Sequence, residues 1–187
     1  MGLGTLATRE LSRTDADESK ILGSFFTLRL LLVLCSSLLG GLIVAVFPYP
    51  PIVKIGIILT LVTITAQSLV QVLMGVFQKH LRIGVVAIGD ILTRLVQLAG
   101  LAFLFWKGSW LLLPVLAVNV VAELVHLFFM IAMTRRIVPF HLHIDIERWK
   151  DILRQAFPIG LSLVFTLLYF KIDTIMLSLL RSPDEVG

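Results

Sequence analysis

The last apolar run of the chain, residues 157–180, reads FPIGLSLVFTLLYFKIDTIMLSLL. It is long enough to cross a bilayer, which takes about 20 mainly apolar residues in a helix. Helical spacing places several of its polar residues on one face: Ser162, Thr166, Tyr169 and Asp173. Ionisable groups at membrane depth are costly and usually face protein or water. This stretch, which also contains Lys171, therefore predicts a membrane helix with one side turned away from lipid.

Four similar apolar runs precede it, at residues 25–47, 52–76, 85–105 and 110–133. The chain is 58% hydrophobic and 15% charged, with a mean hydropathy of +0.99, which is typical of a polytopic membrane protein. The sequence predicts an all-α, polytopic transmembrane helical bundle with five transmembrane helices. The predicted division is an N-terminal segment (1–23), four helices (24–133), an amphipathic linker (134–155) and a last helix with its tail (156–187).

Positive residues are concentrated on one side of the predicted bundle. Ten Lys and Arg residues lie in segments 1–23, 77–84 and 134–155, against three near the opposite ends of the runs. By the positive-inside rule, the N-terminus and the linker are predicted to be cytoplasmic in a multi-pass protein of the cell membrane. Short loops beside a membrane also account for the net charge of +4, so no nucleic-acid partner is predicted.

The linker is predicted to contain an amphipathic helix after Asp145, a residue type that suits a helix N-cap. Its apolar residues fall on one face: Ile146, Trp149, Ile152, Leu153 and Phe157. Such a helix would lie at the membrane interface and place Trp149 among the lipid headgroups.

Three middle runs also carry polar stripes at helical spacing. The stripes are Thr60, Thr63, Gln67 and Gln71; Asp90, Arg94 and Gln97; and Asn119, Glu123 and His126. Each stripe is open to a structural interpretation, namely hydrogen bonds between packed helices. Asp90 and Arg94 form either an i, i+4 ion pair or part of a site, and Glu123 with His126 forms either a packing pair or a proton relay.

Signatures of enzymes are missing from the sequence. It has no His-Glu-x-x-His, no paired cysteines, no Gly-x-Ser-x-Gly and no phosphate-binding glycine loop. His141 and His143 lack the further ligands that a metal site requires. We therefore predict no enzymatic activity, no cofactor and no metal.

Two distant segments resemble one family. The later segment comprises Phe157-Pro158-Ile-Gly160-Leu-Ser162, Tyr169-Phe-Lys171-Ile-Asp173, Leu177 and Ser182-Pro-Asp-Glu-Val-Gly187. It resembles the seventh helix of Wzx-like polysaccharide flippases, in the superfamily that also contains MATE exporters and MurJ. Residues 2–13 resemble the end of helix two and the loop after it. The resemblance implies part of a two-lobe fold that does not transport alone, with the linker as the hinge between lobes.

The resemblance also implies a function: export of lipid-linked oligosaccharides for O-antigen or capsule-type polysaccharide biosynthesis. Its partners would be that substrate, membrane lipids and the remaining helices of the transporter. The expected substrate-binding residues are Arg94, Gln97, Tyr169, Lys171 and Asp173, and the expected ion- or proton-coupling residues are Asp90, Glu123 and His126. Two alternatives remain open, a MATE-type cation-coupled multidrug exporter and a non-transporting membrane scaffold.

Overall fold

A computed structural model describes residues 17–108 and 111–180, which form helices joined by turns and short connections. The helices are α1 (Glu18–Val46), α2 (Pro51–Lys79), α3 (Ile83–Trp106), α4 (Leu112–Ile137) and α5 (Ile146–Leu180). All five predicted runs are helical, which confirms the all-α bundle. Helices α1 to α4 are long and apolar enough to cross a membrane, so this is a multi-pass membrane protein. The fifth predicted span lies in α5, where several side chains fall outside the described residues, and it stays a prediction.

Helix α4 lies at the centre of the bundle. It packs against both α2 and α3, while α1 covers another side of α2. The turn between α2 and α3 is tight, with Leu81 in the left-handed region at φ 53°. Although they are consecutive, α2 and α3 have few mutual contacts. The packing therefore leaves a gap between these two helices, with α4 behind it.

The buried core lies at one end of the bundle, which we call the linker end. Residues 21–28 of α1 are all buried there, together with Leu73 and Phe77 of α2 and Met130 of α4. Towards the opposite end, large apolar side chains such as Leu38 and Leu42 are exposed. In a membrane protein such side chains contact lipid, because hydrocarbon solvates them as well as a protein core does.

The connection between α4 and α5 packs closely on the start of α1. Ser19 Oγ donates a hydrogen bond to the carbonyl oxygen of Pro139 at 2.5 Å. The rings of Phe26 and Phe140 lie 5.4 Å apart between centroids, a favourable separation for a tilted aromatic pair. This segment is therefore part of the folded bundle.

Several predicted boundaries differ from the helix ends in the structure. Residues 18–23, predicted as part of the N-terminal segment, belong to α1, whose N-cap Asp17 accepts a hydrogen bond from the Lys20 backbone. The predicted boundary between residues 155 and 156 falls inside α5, which continues through Pro158. The physical reason is that no glycine or proline interrupts residues 146–157.

The predicted cap and apolar face of the linker helix are partly realised. Asp145 Oδ1 accepts a hydrogen bond from the Arg148 backbone N–H at 3.0 Å, as an N-cap does. Trp149 donates its indole N–H to Ser24 Oγ at 3.0 Å, and Ile152 is buried. This part of the face therefore packs against α1, where the sequence predicted contact with lipid headgroups.

Gly23 provides a test of the docked connection. A methyl group at this position would overlap the backbone carbonyl oxygen of His141, so we expect Gly23→Ala to lower the free energy of unfolding by about 1 to 3 kcal/mol. Gly41→Ala is the matched control, because it lies in the same helix with nothing within 4 Å of an added Cβ. The control should stabilise the helix by up to about 1 kcal/mol. Thermal unfolding in detergent measures both, and equal stabilisation by the two variants would contradict the docking.

Candidate functional site

A polar cavity of about 220 Å³ occupies the gap between α2 and α3. Its lining includes residues of all three predicted stripes, together with Val70 and Thr93. The lining residues from the stripes are Gln67, Gln71, Asp90, Arg94, Glu123 and His126. At 1.5 Å per residue, Arg94 lies roughly 16 to 18 Å from either end of α3, close to its middle. The cavity is large enough for several water molecules and has polar groups to bind them.

The imidazole of His126 lies between two carboxylates. Its Nδ1 is 3.8 Å from Glu123 Oε2, and its Nε2 is 3.9 Å from Asp90 Oδ1. Both distances are longer than the length of a hydrogen bond. Glu123 and His126 are only 8% and 6% exposed, whereas the Asp90 side chain is 65% exposed. Glu123 Oε2 and His126 Nε2 are buried and have no hydrogen-bond partner.

A glycine lets His126 approach α3 this closely. A Cβ added at Gly89 would lie 3.0 Å from His126 Nε2 and 3.3 Å from Phe129 Cδ1. About three turns along α3, a Cβ at Gly100 would lie 2.6 Å from a methyl carbon of Val118. These two small residues bring the helix backbones together, a role that Gly commonly has between membrane helices.

The polar stripe of α2 divides between two kinds of hydrogen bond. Gln67 Nε2 donates to Glu123 Oε1 at 3.0 Å, which joins α2 to α4 as the structural interpretation expected. Thr60 and Thr63 instead donate to backbone carbonyls of their own helix, those of Gly56 and Leu59. Thr hydroxyls often bond the preceding turn in this way, so spacing alone does not identify an interhelical contact.

Arg94 does not pair with Asp90, one of the two arrangements that the sequence left open. Its Nη1 donates to Gln97 Oε1 at 3.0 Å, and the side chain is otherwise exposed towards the cavity. Gln97 in turn donates to Asn119 of α4 at 2.9 Å. Asn119 was not predicted as a site residue, although its place in a stripe with Glu123 and His126 was a signal for it.

Of the predicted residues of α5, Tyr169 does not line the cavity. Tyr169 is exposed and lines a separate open surface pocket of about 780 Å³ on α5. The side chains of Lys171 and Asp173 lie outside the described residues. Within the described structure α5 contacts α1 and none of the three cavity helices. Among the residues that the structure describes, no group of three or more His, Cys, Asp or Glu is arranged to hold a metal ion.

A helical membrane bundle with charged groups around a polar cavity at mid-depth has the architecture of a membrane transporter. The chain belongs to the polysaccharide biosynthesis protein family, the family of Wzx-like flippases, whose model matches it over residues 1–187. It matches none of the curated proteins and none of the solved structures with which it was compared.

Proposed function

We propose that this protein serves as a flippase that moves lipid-linked oligosaccharides from the cytoplasmic to the outer leaflet. The observation that carries the proposal is the polar cavity with Arg94 at the middle of a membrane helix, in a member of this family. A sugar pyrophosphate attached to an undecaprenyl-type lipid needs a hydrated path through the bilayer. Hydrogen-bonding groups and a cation on that path replace the water that the headgroup loses.

Arg94 is the proposed contact for the pyrophosphate. A guanidinium has five N–H donors in a planar fork that matches phosphate oxygens, and Gln97 uses one of them. An arginine at membrane depth costs about 2.5 to 3.5 kcal/mol on insertion scales, which water or a bound anion offsets. Gln97 holds the guanidinium at the cavity, where the headgroup passes.

A second lobe is proposed to close the cavity. Gln71, Asp90 and Arg94 are exposed on α2 and α3, and hydrocarbon is a poor solvent for them. We assign the first helix of that lobe to α5, whose predicted substrate-binding residues are Tyr169, Lys171 and Asp173. The helix face that carries Tyr169 and Asp173 would then line the substrate path. The lobes would rock about the linker at residues 134–155, for which the distribution of Lys and Arg favours a cytoplasmic location.

A cation-coupled exporter of the MATE type is the second candidate. The specific observation that favours it is the His126 imidazole between the carboxylates of Asp90 and Glu123, with two unpartnered buried atoms. This cluster is also our proposed proton- or ion-coupling site for the flippase. The two candidates therefore differ in substrate and share the coupling residues.

Reconstitution of the intact transporter tests the proposal. A fluorescent undecaprenyl-type lipid carrying a pyrophosphate-linked oligosaccharide should cross the bilayer of proteoliposomes faster than that of protein-free vesicles. The same lipid with a neutral alcohol headgroup is the matched control. Efflux of cationic dyes without movement of the oligosaccharide lipid would favour the second candidate, and movement of neither would favour the scaffold.

Water access to the cavity gives a further prediction. In a Cys35→Ser background, a membrane-impermeant maleimide should label Gln71→Cys at least about tenfold faster than Leu95→Cys, because a thiol ionises in water and not in lipid. Both positions are exposed on the bundle, but Leu95 lies on the apolar side of α3. Equal, slow labelling of both would indicate a packed scaffold.

The same labelling experiment tests the proposed orientation. His143 is exposed in the connection before α5, so His143→Cys should be labelled in inside-out vesicles and protected in intact cells. The opposite pattern would overturn the cytoplasmic assignment.

A further inference from the structure

A single chain of side-chain hydrogen bonds runs from α4 to the guanidinium at the cavity. Asn119 Nδ2 donates to the Val115 carbonyl oxygen at 3.1 Å. Asn119 Oδ1 accepts from Gln97 Nε2 at 2.9 Å, and Gln97 Oε1 accepts from Arg94 Nη1 at 3.0 Å. The chain therefore links a backbone atom of α4 to the proposed headgroup contact on α3.

The direction of this chain is fixed by its two ends. Arg94 can only donate, so Gln97 must turn its oxygen towards the guanidinium and its NH2 group towards Asn119. The carbonyl of Val115 can only accept, so Asn119 must turn its NH2 group towards that carbonyl and its oxygen towards Gln97. The two amides have one arrangement that satisfies all three bonds, and reversal of either breaks two of them.

Helix packing holds the two amides at bonding distance. Gly100 lies one turn beyond Gln97 on α3 and leaves room for Val118, the neighbour of Asn119 on α4. Both Gln97 and Asn119 are partly buried, whereas Arg94 is exposed. A partly buried pair of amides thus supports a charged group that is open to the cavity.

We propose that Asn119 is a positioning residue that orients Arg94 through Gln97. The amide of Asn119 selects the orientation in which Gln97 presents an acceptor to the guanidinium. Without Asn119 the Gln97 amide can turn, and its NH2 group then offers Arg94 no acceptor. With Asn119 in place, one N–H group of Arg94 is therefore bonded to Gln97, and the other N–H groups can bind an anion. The expected effect on substrate rests on the proposed function, in which that anion is the pyrophosphate.

Asn119→Leu in the intact transporter tests this inference, since leucine has similar size and no acceptor. Two readouts are measured: the rate at which phenylglyoxal modifies Arg94, and the affinity for inorganic pyrophosphate. We expect modification to be about fivefold faster, as for the loss of one net hydrogen bond. The affinity should fall about tenfold, as for a hydrogen bond that supports a charged group.

Two matched variants separate positioning from general damage. Asn119→Asp keeps an acceptor for Gln97 and should recover most of both effects. In an Arg94→Ala background, Asn119→Leu should leave pyrophosphate affinity unchanged, because the residue acts only through Arg94. A further loss of affinity in that background would overturn the inference, as would an unchanged rate of Arg94 modification in folded Asn119→Leu.

Two further outcomes distinguish a folding defect and a wrong headgroup site from failure of the positioning role. If Asn119→Leu does not fold, Gln97→Leu replaces it, because it removes the middle of the chain while Asn119 keeps its bond to Val115. The same faster modification of Arg94 is expected, and an unchanged rate would again refute the positioning role. Lack of pyrophosphate binding by the unmodified transporter would count against the proposed headgroup site alone, since the rate of Arg94 modification still decides the role of Asn119.

Discussion

Arg94→Ala is expected to reduce transport of the lipid-linked oligosaccharide by roughly 10- to 100-fold while the amount of protein in the membrane stays near that of the wild type. The reduction corresponds to the loss of a charge-assisted hydrogen bond to the pyrophosphate. Protein levels should hold because Arg94 is exposed and forms no ion pair with Asp90 in the described structure. Its removal therefore strands no carboxylate.

The double variant Asp90→Ala/Arg94→Ala separates this outcome from a structural role. If the two residues were only a stabilising pair, the second substitution would restore what the first removed. We expect no recovery.

Arg94→Lys should recover part of the activity, because lysine keeps the charge without the planar fork. Leu95→Ala, next to it on the apolar side of α3, should behave as the wild type. Cell-surface polysaccharide and immunoblots of membranes provide the two measurements, and recovery of both in the double variant would show that the pair is scaffold.

The sequence predicted the helices well because each is a long apolar run. It predicted their ends less well, since ends depend on caps and contacts. Helix α1 begins at Glu18 because Asp17 caps it there. Ile21 and Leu22 of its first turns are also buried in the core, to which Phe140 of the connection between α4 and α5 contributes. Hydropathy does not report such contacts. The continuity of α5 was readable in principle from the absence of a helix breaker before Pro158.

The sequence predicted a polar stripe on each of α2, α3 and α4, and in the structure residues of all three stripes line one cavity. It could not predict the partners within that interior. Spacing on one helix gives only neighbours on that helix, such as Asp90 and Arg94. In the structure Asp90 Oδ1 instead lies 3.9 Å from His126 Nε2 of α4, and Arg94 donates a hydrogen bond to Gln97. Which partners Asp90 and Arg94 have depends on the distance between α3 and α4. Gly89 and Gly100 of α3 allow the two helices to approach closely.

Glu123→Gln is expected to remove the dependence of transport on a proton gradient, and to lower gradient-driven transport by about tenfold or more. Glu123 is 8% exposed, and its Oε2 has no hydrogen-bond partner although His126 Nδ1 is 3.8 Å away. A carboxylate and an imidazole one turn apart in a membrane helix are the kinds of group that a proton relay requires. Glutamine mimics the neutral acid and keeps an acceptor for Gln67, whose bond to Oε1 should survive.

Thr134→Val is the control for this variant, because Thr134 Oγ1 is another buried, unpartnered atom of α4 that lies outside the cavity lining. Valine matches threonine in shape, so stability should stay the same or rise, and transport should keep its response to the gradient. Glu123→Gln should also remain folded, within about 1 kcal/mol of the wild type, since it leaves no new buried charge. Transport in proteoliposomes with and without an imposed pH difference measures the response. If Glu123→Gln still responded fully to the gradient, Glu123 and His126 would be a packing pair, and the coupling step would have to lie elsewhere in the transporter.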